Sequence, residues 1–174
     1  SHEENVFVLS LPFKRKDEKA TQLLTNEATN YISLDDSPLQ TPNQQGYTLL
    51  LVEDHDEMRQ FIAEQLELHF IVETASDGNE ALAILGERHI DIIVTDIMMP
   101  NMDGFELCKK VKSDINISHI PIVLLTARND IQSKIEGLKA GAESYLEKPF
   151  SIKYLRQQLL SILDNRRRER TAFS

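Results

Sequence analysis

Carboxylates, a hydroxyl and an ammonium group stand where four apolar runs of this sequence end. Glu53 and Asp54 follow the first of these runs, Asp96 the second, Thr126 the third, and Lys148 the last. Carboxylates crowded together raise each other's pKa unless a cation intervenes. Mg²⁺ is the natural cation, because it prefers oxygen ligands and commonly uses one or two carboxylates. The Cys and His spacing of a transition-metal site is absent from the sequence.

A carboxylate beside Mg²⁺ can also act as a nucleophile towards phosphorus. The acyl phosphate that results needs positive charge and hydrogen-bond donors around its oxygens. Lys148 and Thr126 are the available donors. The residue types therefore favour a magnesium site with phosphoryl chemistry, provided that the fold brings them together.

Each residue also has an ordinary structural interpretation. Asp54 with Glu57, and Asp103 with Glu106, have the three-residue spacing of a helix N-terminal capping box. Thr126 could cap a loop, and a lone lysine is most often solvated. The combination, rather than any single residue, favours the chemical interpretation.

Five short apolar runs are predicted to be β-strands. Because they lack polar alternation, they are expected to be buried on both faces, as in a parallel sheet that is covered by helices. The runs are Thr48–Val52, Phe70–Val72, Ile90–Val94, Pro121–Leu125 and Ser144–Leu146.

Apolar residues at helical spacing lie between the strands and after the last one. The alternation predicts an α/β fold, a doubly wound five-stranded parallel sheet with five helices in three αβα layers. Right-handed connections bring the carboxyl ends of the strands to one edge, where such folds form their sites. The helical sets are Met58, Phe61, Ile62 and Leu66; Ala81, Leu82 and Leu85; Phe105, Leu107, Cys108 and Val111; Ile131, Ile135 and Leu138; Ile152, Leu155, Leu159 and Ile162.

Length and composition limit the class of protein. The 174 residues, 41% hydrophobic, allow one domain with extra chain. No apolar run approaches the roughly 20 residues of a transmembrane helix, so a soluble segment is expected. A single cysteine, Cys108, excludes a disulfide framework and is expected in the core. The net charge of -9 argues against binding nucleic acid over the whole surface.

The chain divides into four predicted parts. Residues 1–13 contain a short β-branched and aromatic run, which predicts one strand; residues 14–46 are polar and are interpreted as a linker. Residues 47–164 form the α/β domain, and 165–174 continue its last helix as a basic exit segment. A solvated helix end that complements the helix dipole is the alternative for that segment.

Residues 47 to about 165 resemble the receiver domain of two-component response regulators, which has the flavodoxin-like fold. Four blocks carry the resemblance, and they occur in the family's order. They are Leu51-Val-Glu53-Asp54, Val94-Thr-Asp96-Ile-Met-Met-Pro100-Asn-Met-Asp103-Gly104, Leu124-Leu-Thr126-Ala127 and Tyr145-Leu-Glu-Lys148-Pro149-Phe150.

The resemblance assigns roles to single residues. It implies that Asp96 is the phosphoacceptor, receiving its phosphoryl group from a kinase phosphohistidine. Asp54 and Asp96 would bind Mg²⁺ directly, Glu53 through a bound water, and Met98 through its backbone carbonyl. The Met98 side chain cannot position a water by strong hydrogen bonding, which predicts slow self-dephosphorylation.

The resemblance also implies a switch. Lys148 would pair with the phosphoryl group, Thr126 would move to bond a phosphoryl oxygen, and Tyr145 would turn inward as Thr126 moves. The Lys148–Pro149 bond is expected to be cis. Such a receiver catalyses its own phosphotransfer but is not a free-standing enzyme.

The two ends resemble pieces of a hybrid two-component protein. Residues 1–13 are similar to the closing strand of a histidine-kinase ATP-binding domain, and the Arg-rich exit is similar to the segment that precedes a DNA-binding output domain. The implied partners are a kinase phosphodonor domain in the same polypeptide, that output domain, and a second copy in a homodimer. This segment is not expected to bind nucleic acid itself. A cytoplasmic location is expected, in a parent protein that could be anchored to a membrane.

Three other classes of protein fit the sequence less well. A pseudo-receiver would keep the fold without cycling phosphate, and the full set of site residues argues against it. A flavodoxin-like cofactor binder needs a phosphate-cradling loop after the first strand, where Glu53-Asp54-His55-Asp56 would repel an anion. A metal-dependent aspartyl phosphatase is disfavoured because no second Asp stands two residues after Asp96.

Overall fold

A computed structural model describes residues 46–127 and 131–173. The predicted strand in residues 1–13 and nearly all of the 14–46 linker lie outside the described residues. The strands are β1 (Thr48–Val52), β2 (Ile71–Ala75), β3 (Ile92–Asp96), β4 (Ile122–Thr126) and β5 (Ser144–Glu147), and the helices are α1 (Asp56–Leu66), α2 (Gly78–Glu87), α3 (Gly104–Ser113), α4 (Ile131–Ala140) and α5 (Ile152–Ala172).

The five strands form one parallel sheet in the order β2-β1-β3-β4-β5. The chain moves outward from β1 to β2, then returns past β1 to β3, so the strand order reverses between β1 and β3. Ligand sites of doubly wound folds lie beyond the carboxyl ends of the strands at this point. The predicted fold class is confirmed.

Residues of alternate strand positions pack in two separate layers. Leu49 and Leu51 of β1 face the layer that α1 and α5 cover. Leu50 and Val52 face the layer that α2 and α3 cover. Both faces of the central strands are buried. A polar side chain on either face would therefore contact neither solvent nor a hydrogen-bonding partner. This explains why the strands read as continuous apolar runs.

The ladder differs from the apolar pattern at the strand ends. β3 was predicted at 90–94 and extends over Ile92–Asp96, because Asp96 is in register with Leu125 of β4. Asp91 lies before the strand, and its Oδ2 accepts a hydrogen bond from the Thr48 amide at 2.8 Å. The apolar pattern of the sequence indicates which residues are buried. The hydrogen bonds between strands extend further, into the polar residues at the sheet edge.

Helix α4 packs differently from the prediction. Its predicted apolar face, Ile131, Ile135 and Leu138, is exposed to solvent, and Ile131 is 74% exposed. The buried residues are Gly137 and Ala140. A Cβ at Gly137 would lie 3.1 Å from a methyl group of Leu124, so the small residue allows the helix to lie close to the sheet.

Helix α5 continues without a break to Ala172. Ile152, Leu155, Leu159 and Leu163 are buried, and Ile162 is partly buried against the same core. The predicted helical continuation into the basic exit segment is thus confirmed as far as Ala172. Within the two described ranges, no helix has the length and apolar character needed to cross a membrane.

Candidate functional site

Three carboxylates meet where the strand order reverses. Glu53 and Asp54 directly follow β1, and Asp96 is the last residue of the neighbouring β3. One carboxylate oxygen of each lies within 4.8 Å of the others. The topology therefore brings together residues that stand more than forty positions apart in the sequence.

The carboxylates differ in their exposure. Glu53 is 2% exposed and Asp96 is 7% exposed, whereas Asp54 faces solvent. Burial raises the pKa of both Glu53 and Asp96 because it disfavours the charged form. The Lys148 ammonium opposes this rise at both residues, while the charge of Asp96 adds to the rise in the pKa of Glu53.

Lys148 is shared by the two buried carboxylates. Its Nζ lies 3.0 Å from Glu53 Oε2 and 3.3 Å from Asp96 Oδ2. Three carboxylates and one ammonium leave two negative charges when all are ionised, which a divalent cation would balance. The oxygen donors and the solvent-facing Asp54 suit Mg²⁺, which keeps several of its waters.

The ends of β4 and β5 place Thr126 and Lys148 at this edge. Thr126, the last residue of β4, is in register with Glu147, and its carbonyl accepts the Lys148 amide at 2.6 Å. The Thr126 residue is buried. The Lys148–Pro149 bond is cis, as expected.

The loop after β3 affects the charge of the site through its backbone. The amides of Ile97 and Met98 lower the pKa of Asp96, an effect smaller than those of burial and Lys148. The Met98 side chain is 74% exposed. The expectation that its carbonyl binds Mg²⁺ stays a prediction.

Helix α3 begins against this loop at Gly104. The Gly104 amide donates to the Ile97 carbonyl at 2.9 Å. A Cβ at Gly104 would lie 2.4 Å from the Asp96 carbonyl oxygen and 2.9 Å from the Ile97 Cα, both of them backbone atoms. Only glycine permits this approach, so Gly104 sets the position of the loop that carries the site.

Of the two capping boxes considered for the sequence, the structure contains one. The Asp103–Glu106 capping box is present at the start of α3. The proposed Asp54–Glu57 box is wrong, because His55 is the N-cap of α1 and its Nδ1 accepts from the Met58 amide at 3.2 Å. Asp54 is therefore left at the site edge, and His55 has the structural role that a residue at a helix start commonly has.

Arg59 was missed by the sequence reasoning. Its guanidinium donates to the Glu53 carbonyl at 2.8 Å and pairs with Asp56 at 2.6 Å. Arg59 thus ties α1 to the segment that carries the first two carboxylates. The three-residue spacing of Asp56 and Arg59 was the available signal, but it is common on helix surfaces.

Tyr145 lies on β5 next to α4, two strand positions before Glu147. Its ring is partly buried against the α2 and α3 core layer. The Lys134 Nζ lies 5.4 Å from the ring centroid, a cation–π contact between α4 and β5. The residue expected to switch therefore sits at the boundary between these two elements.

The fold and the arrangement of the site residues are those of one protein family. The family model described as "Response regulator receiver domain" matches residues 49–160, and the chain belongs to this family of two-component signalling proteins. Receiver domains bind Mg²⁺ at an acidic pocket, and Glu53, Asp54 and Asp96 form the acidic cluster of this one.

Similar proteins come from several kinds of organism. The chain is 43% identical over 127 residues to "Histidine kinase P4" of Formosa agariphila, covering 73% of this chain and 9% of that protein. It is 39% identical over 122 residues to "Probable transcriptional regulator ycf27" of Cyanidium caldarium, covering 70% of this chain and 48% of that one. The chain thus spans at most about half the length of these curated relatives.

Solved structures agree with the fold. The chemotaxis response regulator CheY4 of Vibrio cholerae has a TM-score of 0.64 and 35% sequence identity, covering 68% of this chain and 99% of that one. The Francisella response regulator 1452 receiver domain has a TM-score of 0.63 and 38% identity, covering 70% and 98%.

Proposed function

We propose that this domain receives a phosphoryl group on Asp96 from a kinase phosphohistidine and then changes its output surface to regulate transcription. The observation that carries the proposal is the position of the Asp96 carboxylate. It lies within 4.8 Å of two further carboxylates and 3.3 Å from the Lys148 ammonium. An anionic phosphoryl group can approach there only with a cation, and the cluster is suited to hold one.

In the proposed transfer, an Asp96 carboxylate oxygen forms the new bond to phosphorus as the bond from phosphorus to the histidine nitrogen breaks. The electron pair of that bond leaves with the imidazole, and Asp96 becomes an acyl phosphate. Asp54 and Asp96 would hold Mg²⁺ directly, Glu53 through a water, and the Met98 carbonyl would complete the protein ligands. Mg²⁺, when bound, neutralises charge on the transferred group.

The proposed switch follows from the new charge. A phosphoryl group adds about -1.5 to -2 charges and three acceptor oxygens. Lys148, already 3.3 Å from Asp96, is placed to pair with one oxygen, and the Thr126 hydroxyl would bond another. Tyr145 lies beside α4 on β5, the edge strand that Lys148 follows, and would turn inward as Thr126 moves. This movement would alter the surface formed by α4, β5 and α5.

The proposed partners are a phosphodonor domain in the same polypeptide, a DNA-binding output domain and a second copy. The support is that similar segments make up 9% of a histidine kinase and 48% of a transcriptional regulator. We place the domain in the cytoplasm of the cell that makes it. The alternative is a pseudo-receiver that binds partners without phosphate.

The test is incubation of the full chain with Mg²⁺ and a small acyl phosphate, followed by intact-mass measurement. We expect one added phosphoryl group on the native chain and on the Asp164→Asn control, and none on Asp96→Asn. A native chain that stays unmodified would support the pseudo-receiver. Phosphate on Asp96→Asn would assign the acceptor to another residue.

A further inference from the structure

A groove lies at the amino-terminal edge of the sheet, opposite the carboxylate site. Its floor is apolar and includes Ile90, Pro121 and Leu163, which lie before β3, before β4 and on α5. Its volume is about 170 Å³. Because a cavity of about 150 Å³ admits a benzene-sized group, the groove has room for one branched apolar side chain.

The rim of the groove is basic. His89, His119, Arg167 and Arg170 line it. Arg167 and Arg170 are exposed, and neither forms an ion pair with a carboxylate of the described ranges. The groove therefore suits a ligand that carries an apolar side chain next to acidic ones.

The remaining charged residues of the groove are already paired. Arg166 binds Glu143 at 2.7 Å and donates to the His119 carbonyl. Asp91 accepts from the Thr48 amide at 2.8 Å and from His89 at 3.1 Å. Since Asp91 is satisfied, it does not neutralise the two arginines on α5.

We propose that this groove binds the segment Leu34–Leu39 of the same chain, whose sequence is Leu-Asp-Asp-Ser-Pro-Leu. Asp35 and Asp36 would pair with Arg167 and Arg170, and one of the two leucines would enter the apolar floor. The match is one of charge and of side-chain size together.

The position of the segment in the chain favours it over a separate partner. Tyr47, which lines the groove, is preceded by residues 20–46, which contain three acidic residues and no Lys, Arg or His. Asp36 is eleven residues from Tyr47, and eleven residues can span about 36 Å. A tether of this length gives an effective concentration on the order of mM, so even a weak contact would be occupied.

The contact would join the segment before the receiver to the helix that leaves it. Leu163, Arg167 and Arg170 lie on α5, whose other end follows the Lys148 edge. Binding or dissociation of the 34–39 segment would then directly affect the position of α5. This coupling is independent of the phosphorylation proposed above and uses none of its residues.

The test uses a nitroxide spin label on Ser37→Cys in the full, ¹⁵N-enriched chain. The native Cys108 is fully buried and burial raises the pKa of its thiol to about 11, so the added cysteine takes the label. We expect paramagnetic broadening of the amides of residues 89, 119 and 167–170. The amides of residues 53, 54 and 96, at the opposite edge of the sheet, should broaden much less.

Charge variants separate the groove from the helix that carries it. Arg167→Glu with Arg170→Glu should abolish the broadening, and so should Asp35→Lys with Asp36→Lys, which leaves the described domain unchanged. Combining the four substitutions should restore it. Arg168→Glu is the matched control, because Arg168 is exposed on the same helix and does not line the groove.

Three results would overturn the proposal. One is uniform broadening or none in the native chain. Another is equal broadening in Arg168→Glu and in the Arg167→Glu, Arg170→Glu variant. The third is broadening that persists when labelled and ¹⁵N-enriched chains are different molecules in a dilute mixture, which would assign the groove to a second copy.

Discussion

Glu53 and Asp96 are two buried carboxylates that share one ammonium group. Lys148 offsets part of the burial cost at each, and Asp96 makes Glu53 harder to ionise. Buried carboxylates arranged in this way attract a cation, but they destabilise the folded chain when no cation is bound. The residues at the site are therefore expected to lower stability in the absence of metal.

Asp96→Asn should raise the free energy of unfolding at pH 7 without Mg²⁺, because it removes a buried charge. The pKa of Asp96 is raised in the folded chain, so its cost is complete above that pKa and disappears as the pH falls through it. The gain should thus shrink from pH 7 towards pH 4. Urea unfolding at several pH values measures both effects.

The control for this prediction is Asp164→Asn, a partly buried carboxylate on α5 away from the site. It should change the free energy of unfolding by no more than about 0.5 kcal/mol. Added Mg²⁺ should stabilise the native chain more than Asp96→Asn, through binding to the folded state alone. An Asp96→Asn chain that is less stable than the native one would contradict the argument.

Met98 bears on the lifetime of the phosphorylated state, if Asp96 is the acceptor. Its side chain is exposed beside Asp96 and offers a water only a weak acceptor. Met98→Gln adds an amide that can orient an attacking water, and one hydrogen bond of about 1 kcal/mol should shorten the half-life several-fold. Met98→Leu, which adds no such group, should leave the half-life unchanged when phosphate loss is followed by intact mass. Equal half-lives for Met98→Gln and Met98→Leu would show that the side chain at position 98 does not orient the attacking water.

At the scale of elements, the site depends on how closely α3 approaches β3. The Gly104 backbone packs on the Asp96 carbonyl and Ile97, where a Cβ has no room. The sequence placed Gly104 within a family motif but did not give this reason, because a contact across a loop leaves no periodic signal. The solvent-facing stripe of α4 has a related cause, since Gly137 and Ala140 make the buried contact.

Gly104→Ala should lower the free energy of unfolding by about 1–3 kcal/mol, because the backbone atoms that it would meet cannot rotate away. The matched control is Gly86→Ala in α2, where a Cβ meets nothing within 4 Å. That change should stabilise the helix by about 0.5–1 kcal/mol. Thermal unfolding of the pair measures the difference. Similar changes of the same sign in the two variants would show that helix propensity, and not the contact with Asp96 and Ile97, determines the effect on stability.

At the scale of the whole molecule, the sequence predicted the layers and the carboxylate edge more fully than the opposite edge. Strand and helix patterns place Glu53, Asp96 and Lys148 at one edge because each follows an apolar run within two residues. The basic groove is assembled from Tyr47, His89 and the end of α5, which no spacing connects. Nor could sequence show that α4 presents its apolar residues to solvent.

The amino-terminal edge is also where one glutamate joins three elements. Glu143 Oε1 accepts from Lys112 of α3 at 2.8 Å and from Arg166 of α5 at 2.7 Å, while Oε2 accepts from the Ile122 amide at 2.7 Å. Lys112 also donates to the Ile120 carbonyl at 2.7 Å. The network fastens the last turns of α5 beyond Leu163, the last buried residue of that helix.

Glu143→Ala should therefore lower the free energy of unfolding by about 1–2 kcal/mol, since hydrogen bonds to charged groups contribute more than neutral ones but solvent reaches this carboxylate. Amides of residues 165–172 should lose hydrogen-exchange protection to a greater extent than those of β1 and β3. The exposed Glu136→Ala on α4 should change stability by less than about 0.5 kcal/mol. If both variants left the exchange of α5 unchanged, apolar packing up to Leu163 alone would hold the helix, and Glu143 would have no part in fixing the direction in which α5 leaves the domain.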